Sequence, residues 1–306
     1  MTYQVAVDFT PAYELLTSLE VFLSGHGYKF LELPKDWTKQ VRQQLTPSLF
    51  ARLESRDEFC NWCHLSLLVW QCPDRSGPEG FIRWLAGLSV GELYDRLAPR
   101  ANELYPLPRD LAAQRETDVA VLTAWHEQYF RTVEPALFAG LAAVADRWRA
   151  QAAAADLVEL VDQATGGIWV APEPDLETVL LVPQHHFRPW TVPAHLRGLR
   201  IFGCAADVVP VAPGDPSPAL LRLTRALSDE NRLRMLQLLA TGPKAFTEVV
   251  THVGLTKGTV YHHMIALRTA GLVRVHDGHG YNKSYSLRPG ALAAVGARLE
   301  SFVFGH

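Results

Sequence analysis

Between residues 219 and 302 the apolar residues recur at helical spacing in short bursts, each ended by glycine or proline. No other stretch of the chain restricts the fold as tightly. Leu220, Leu223 and Leu227 lie three and four residues apart and share one face of a first helix. Ser228 and Asp229 are an N-cap signal for a second helix, 231–240, with Leu233, Leu236 and Leu239 inward and Gly242 and Pro243 as its stop. A short third helix carries Phe246, Val249, Val250 and Val253 and ends at Gly254. Thr256 caps a fourth, which places Val260, Met264 and Leu267 inward. Gly271 ends that helix, and Leu272 and Val273 open a strand. Asp277 and Gly278 signal a hairpin turn, and Tyr285, Ser286 and Leu287 form the returning strand. A last helix holds Leu292, Val295, Leu299 and Phe302 at spacings of three, four and three, an apolar stripe that calls for a partner.

Two helices joined by a tight turn at Gly254, followed by a two-stranded wing, make a winged helix-turn-helix. Thr256, Lys257, Thr259, Tyr261 and His262 lie at the entrance of its fourth helix, outside the inward face. Lysine, hydroxyl and imidazole donors at a helix start suit phosphates and base edges in a DNA major groove. His276, His279, Asn282 and Lys283 lie near the tip of the wing and complete the expected DNA-binding set. His263, beside Met264, is read either as a contact or as a residue that packs and supports the helix. The charge divides accordingly. Residues 217–306 hold eleven Lys and Arg against five Asp and Glu, a net of +6, which leaves −9 for residues 1–216 out of a total of −3. A basic tail on an acidic body is expected where only the tail faces phosphate.

Three runs carry a family resemblance: Ala226-Leu-Ser-Asp-Glu-Asn-Arg-Leu-Arg-Met-Leu236, Leu255-Thr-Lys-Gly-Thr-Val-Tyr-His-His-Met264 and Leu267-Arg-Thr-Ala-Gly-Leu-Val273. Together they resemble the ArsR-type winged-helix regulators over roughly residues 217–303. The chain also resembles a long form of that family in which the module follows a large N-terminal domain. The resemblance implies a homodimer made through the module's first and last helices, with the fourth helix in the major groove of an operator. Gly258 departs from the family, where serine or proline is usual. Many members sense metals through cysteines in the third helix or an Asp/His set in the last. Here residues 246–253 offer only His252, and residues 290–302 offer no histidine and one acid, Glu300, so the familiar metal sites are missing.

The segment 208–218 has four prolines and reads as a semi-rigid linker between a domain over 1–207 and the module over 219–306. The first domain opens with an alternating run, residues 3–8, and then a helix begun at Pro11 that carries Leu15, Leu16, Leu19, Val21 and Phe22. Helical patterning continues to about residue 162. The short apolar runs 167–171, 179–182 and 199–202 are expected to form one small sheet closing that domain. The fold class is therefore mainly α with small β elements, a winged helix-turn-helix preceded by a mostly helical α+β domain.

The first domain is expected to support assembly or to sense a small-molecule effector. Its densest polar and aromatic cluster, His185, His186, Arg188 and Trp190, follows an apolar strand and is the candidate effector pocket, or else a loop packed over the core. Cys60, Cys63 and His64 share a helical face and are the candidate metal ligands, against the alternative of small buried hydrophobes. No cofactor is expected. A Gly-rich phosphate loop, a His-Glu-x-x-His pair and a Gly-x-Ser-x-Gly elbow are all missing from the sequence, so an enzyme is not expected. The alternative is an N-terminal enzyme or protein-interaction module with an autoregulatory DNA-binding tail. No apolar run approaches the roughly 18 residues that span a bilayer, the start lacks a signal-peptide pattern, and four cysteines are too few for a disulfide framework. The expected compartment is the cytoplasm, with no membrane partner.

Overall fold

In the computed structural model, which describes residues 3–24, 30–54, 61–153, 156–277 and 283–305, the chain divides into two units. The first takes residues 1–150 and 173–208, the second 151–172 and 209–306. The fold is mainly α with two small sheets. No helix among the described residues is long and apolar enough to cross a membrane.

The first unit begins with strand β1 (Gln4–Val7) and helix α1 (Pro11–Ser24). Helices α2 (Trp37–Gln44), α3 (Pro47–Glu54), α4 (Asn61–Gln71), α5 (Pro78–Gly87), α6 (Val90–Leu97), α7 (Leu111–Gln128) and α8 (Pro135–Ala152) follow. Their starts obey local chemistry: Pro78 sits in the first turn of α5, Ser89 and Glu92 form a capping box on α6, and Asp110 caps α7. The chain then passes through helix α9 (Leu157–Thr165) and strand β2 (Ile168–Val170), which belong to the second unit. It returns to the first unit with β3 (Thr178–Gln184), β4 (Val192–Leu196) and β5 (Leu199–Ala205).

The first unit's sheet has the order β1-β3-β5-β4, with β1, β3 and β5 parallel and β4 antiparallel on the edge. Residues 179–184 and 199–204 of β3 and β5 are buried without alternation, as expected for parallel strands covered on both faces. Leu15, Leu67, Phe81, Leu85, Leu122, Trp125, Leu180 and Ile201 form the centre of its core.

The second unit contains α10 (Pro218–Leu227), α11 (Glu230–Leu239), β6 (Lys244–Ala245), α12 (Phe246–Val253), α13 (Lys257–Thr269), β7 (Val273–Asp277), β8 (Lys283–Leu287) and α14 (Ala291–Phe304). Ser217, Asp229 and Thr256 cap α10, α11 and α13 through their side chains. Met235, Leu239, Val249, Val260, Leu267, Leu272 and Val273 form a core of its own.

One expectation needs correction. The run 167–171 does not join the sheet of β3 and β5. Instead β2 lies parallel to β7 in a second sheet of order β2-β7-β8-β6, so residues 151–172 group with the winged module. Apolar residues at 168 and 170 indicate a strand but carry no information about which sheet will receive it. The decision comes from a backbone approach that only glycine permits. Gly167 has φ +117°, its carbonyl accepts from Val275 N at 2.7 Å, and a Cβ there would lie 2.6 Å from the Val273 carbonyl oxygen.

Candidate nucleic-acid interface

The turn between α12 and α13 is built as its residue types require. Gly254 takes the left-handed conformation, φ 68°, as the C-cap of α12, and its N–H donates to Val250 O. Thr256 then reverts to extended backbone, and its Oγ1 accepts from Thr259 N at 3.2 Å. Val260, Met264 and Leu267 are buried, which turns the other face of α13 outward. Lys257, Gly258, Thr259, Tyr261 and His262 are all exposed, Tyr261 at 54 %. The Thr256 and Thr259 hydroxyls share a hydrogen bond of 2.9 Å, and the rings of Tyr261 and His262 meet edge to face at 6.1 Å. From its cap to His262, the entrance of α13 thus presents one cation, two threonine hydroxyls and two rings, a surface suited to a phosphodiester edge.

The histidines do not all belong to that surface. His263 is half-buried, with Nδ1 3.7 Å from the Asp229 carboxylate that caps α11, so it supports the helix pair. His276 on β7 packs its ring on Trp169 at 5.3 Å and has Nε2 2.8 Å from Ser286 Oγ. Burial, and then the neighbouring Arg274, lower its pKa, so it is neutral at physiological pH and offers phosphate no charge. Lys283 is exposed at the start of β8. His279 and Asn282 lie outside the described residues.

Gly258 occupies open space: a Cβ there would meet nothing within 4 Å, and its backbone is helical. Gly258→Ala therefore relieves an entropic penalty without a clash. Its expected effect is a gain of up to about 1 kcal/mol in the stability of the second unit, read by thermal or urea unfolding. A loss of stability would contradict the geometry.

In the first unit, the cluster expected as an effector pocket sits at the carboxyl end of β3 and is only partly available. His186 is buried, with Nδ1 2.5 Å from Glu14 Oε2 and Nε2 3.0 Å from the Tyr129 hydroxyl, which also accepts from Trp37 Nε1 at 3.0 Å. Both of its nitrogens are engaged internally, so it is a framework residue. Arg188 is also buried and donates from Nε to the His185 carbonyl at 3.2 Å, with Asp207 3.5 Å from its terminal nitrogen. His185 is half-buried. Burial, and next the Arg188 charge, push its pKa down to about 3, so the ring is neutral. Its Nδ1 and the Nε1 of half-buried Trp190 are buried atoms without a hydrogen-bond partner among the described residues.

Cys63 and His64 are buried in the first unit's core, and Cys60 lies outside the described residues. Among the described residues no group of three or more His, Cys, Asp or Glu is placed to hold a metal ion.

The family model described as "Bacterial regulatory protein, arsR family" matches residues 229–275. Residues 229–275 are an ArsR-family helix-turn-helix domain. This ArsR-family domain runs from the α11 cap through α12 and α13 into β7, so it contains the exposed helix entrance described above. The HTH-type transcriptional regulators CmtR of Mycobacterium tuberculosis and Mycobacterium bovis are 40% identical to the chain over 75 residues. That alignment covers 24% of this chain, and the chain spans 63% of the length of these relatives. Among solved structures, a homodimeric winged helix-turn-helix DNA-binding domain from Mycobacterium bovis aligns with 27% identity and a TM-score of 0.24. It covers 29% of this chain and 81% of its own length. An ArsR-like transcriptional regulator from Rhodococcus sp. RHA1 aligns with 25% identity and a TM-score of 0.25, over 28% of this chain and 78% of its own.

The residues that pattern reading missed are Asp162, Gly167, Arg274 and Arg288, which fasten α9 and β2 to the wing. The adjacent glycines 166 and 167 between a helix and a strand were the available signal, since such pairs mark a helix cap followed by a close backbone approach.

Proposed function

We propose that this protein is a cytoplasmic, homodimeric, sequence-specific DNA-binding transcriptional regulator rather than an enzyme. The observation that carries the reading is the exposed entrance of α13, with Lys257, Thr259, Tyr261 and His262 outward, inside an ArsR-family helix-turn-helix domain. Self-association through α10 and α14 is supported by the apolar surface of α14, where Leu292, Leu299 and Phe302 are exposed. The first unit is proposed to modulate DNA binding through a small effector at the end of β3. His185 Nδ1 and Trp190 Nε1, buried and without a partner among the described residues, support that placement.

The division of labour between helix and wing is open to direct measurement. In this reading a lysine on the wing meets phosphate as a point charge, whereas Tyr261 and Thr259 read base edges. Lys283→Ala is expected to weaken binding to all duplexes equally and to flatten the salt dependence by about one unit of slope. Tyr261→Ala and Thr259→Ala are expected to lose about 1 to 3 kcal/mol of discrimination between a selected operator and random DNA for each specific contact removed. Binding isotherms at several salt concentrations, on a duplex selected from a random library and on the unselected pool, separate the two behaviours. The reverse pattern would exchange the roles of helix and wing. No effect from any of the three would remove α13 from the groove.

A further inference from the structure

The wing is a hairpin of β7 and β8, and its base is held by a segment that precedes the ArsR-family domain by more than fifty residues. Asp162 on α9 is fully buried. Its Oδ1 lies 2.8 Å from Arg274 Nε on β7, and its Oδ2 lies 2.6 Å from Arg288 Nε, one residue past β8. The Asp162 carbonyl also accepts from Arg288 at 3.1 Å, and Glu159 lies 3.6 Å from Arg274. One carboxylate therefore clamps both arms of the hairpin, and Glu159 and Asp162 together balance the two guanidinium charges. Arg274 and Arg288 belong to the basic excess of residues 217–306, yet both are engaged inside the fold.

The backbone continues the clamp. Gly166 ends α9 in the left-handed conformation, Gly167 N donates to the Asp162 carbonyl at 2.8 Å, and Gly167 O accepts from Val275 N. Strand β2 then pairs in parallel with β7, Ile168 opposite Val275 and Val170 opposite Asp277, which closes the hairpin's outer edge. Trp169 covers His276 from the same strand. The connection 171–177 leads from β2 directly to β3, the strand between β1 and β5 in the first unit's sheet.

We infer that Asp162 and Gly167 are positioning residues for DNA binding: Asp162 through Arg274 and Arg288, and Gly167 through its backbone bond to Val275, hold the wing where Lys283 reaches phosphate. This rests on the DNA-binding reading above. It adds that a two-stranded wing is insufficient here and that residues 157–170 are part of the DNA-binding apparatus.

The test uses the full-length chain and a pool of random-sequence DNA duplexes, because the contact in question is independent of sequence. Asp162→Asn removes the clamping charge. Gly167→Ala leaves every charge in place and forces a methyl against the Val273 carbonyl, so either variant tests the idea if the other fails to fold. Each is expected to reproduce the Lys283→Ala phenotype, an equal loss of affinity on all duplexes and a salt slope flatter by about one. Neither should cause a further loss in the Lys283→Ala background, because the contact they position is already gone. Hydrogen exchange at the Val275 amide should quicken in both. Wild-type binding by both variants, or losses that add to that of Lys283→Ala, would overturn the inference. A steeper slope would also overturn it, since that would mean Asp162 withholds Arg274 and Arg288 from phosphate. A wild-type chain that bound no duplex would sink the DNA-binding reading itself, an outcome distinct from any of these.

Discussion

Replacing Leu299 and Phe302 together with glutamate is expected to leave the protein monomeric and to remove the high-affinity operator binding proposed above. Leu292, Leu299 and Phe302 are 52 %, 38 % and 44 % exposed on α14, while Val295 on the same helix packs against the core of the second unit. Val295 was expected to wait for a partner with the other three, yet it anchors the helix on its own module, and the same apolar face continues uncovered through Leu292, Leu299 and Phe302. Covering each of these side chains contributes roughly 1.5 to 3 kcal/mol to association, scaled by the fraction left exposed in one chain. Two buried carboxylates would reverse that gain. DNA affinity falls with the dimer because a paired module presents two reading helices to two half-sites, and a monomer loses the second at no entropic discount. Sedimentation velocity and operator isotherms on the same samples are the measurement. A double variant that remains dimeric would move the interface away from α14. A monomer that binds the operator with wild-type affinity would show that one module is enough.

Glu14→Ala is expected to destabilise the first unit by about 3 to 5 kcal/mol, because it strips a fully buried carboxylate from partners that stay buried. Glu14 accepts from the His185 backbone N–H at 2.6 Å and contacts His186 Nδ1 at 2.5 Å, and His186 in turn meets Tyr129 and Trp37. Burial alone would raise the Glu14 pKa, but the interactions with His186 and His185 outweigh it and the net direction is down. The sign of the pH dependence follows. A depressed folded pKa contributes stability that is present in full above the unfolded carboxyl value and is lost as pH falls through the folded value. The gap between wild type and Glu14→Gln should therefore be widest at neutral pH and close on acidification. All the tryptophans except Trp169 fall within the residues of the first unit, so tryptophan fluorescence during urea unfolding reports chiefly on it. A gap that stayed constant from neutral to acid pH would mean that the Glu14 charge makes no contribution and that only its packing matters.

The winged module was legible because its signals are local. Asp229 and Thr256 were recognisable as caps from their side chains, Gly254 as the turn from its lack of a Cβ, and Val260, Met264 and Leu267 as an inward face from spacing alone. All four readings agree with the observed geometry. Each depends on neighbours within one or two helical turns, over which the backbone itself sets the distance. The same locality produced the error at β2, since a three-residue strand announces its faces and not its partner.

Histidine roles were undecidable for a related reason. His262 and His263 are adjacent in one helix, and only the packing of α13 against α11 places one outward and sets the other 3.7 Å from Asp229. His186 looked available in sequence and is locked by a glutamate 172 positions away. The clamp on the wing joins residues separated by 112 and 126 positions.

By itself the sequence determined the helix starts and stops of the winged module, the inward face of α13, its entrance and the basic surplus that accompanies it; on α11 it placed Leu233 inward, where the fold leaves that side chain exposed and buries Met235 instead. Tertiary structure alone decided which charges remain for a partner and which are cancelled inside, and which sheet received β2. It also decided which histidines became framework. Capping and periodicity are satisfied within a few residues of chain. Ion pairs and strand edges are satisfied by whichever groups the fold brings together, and along the chain a buried Asp162 is indistinguishable from a solvated one.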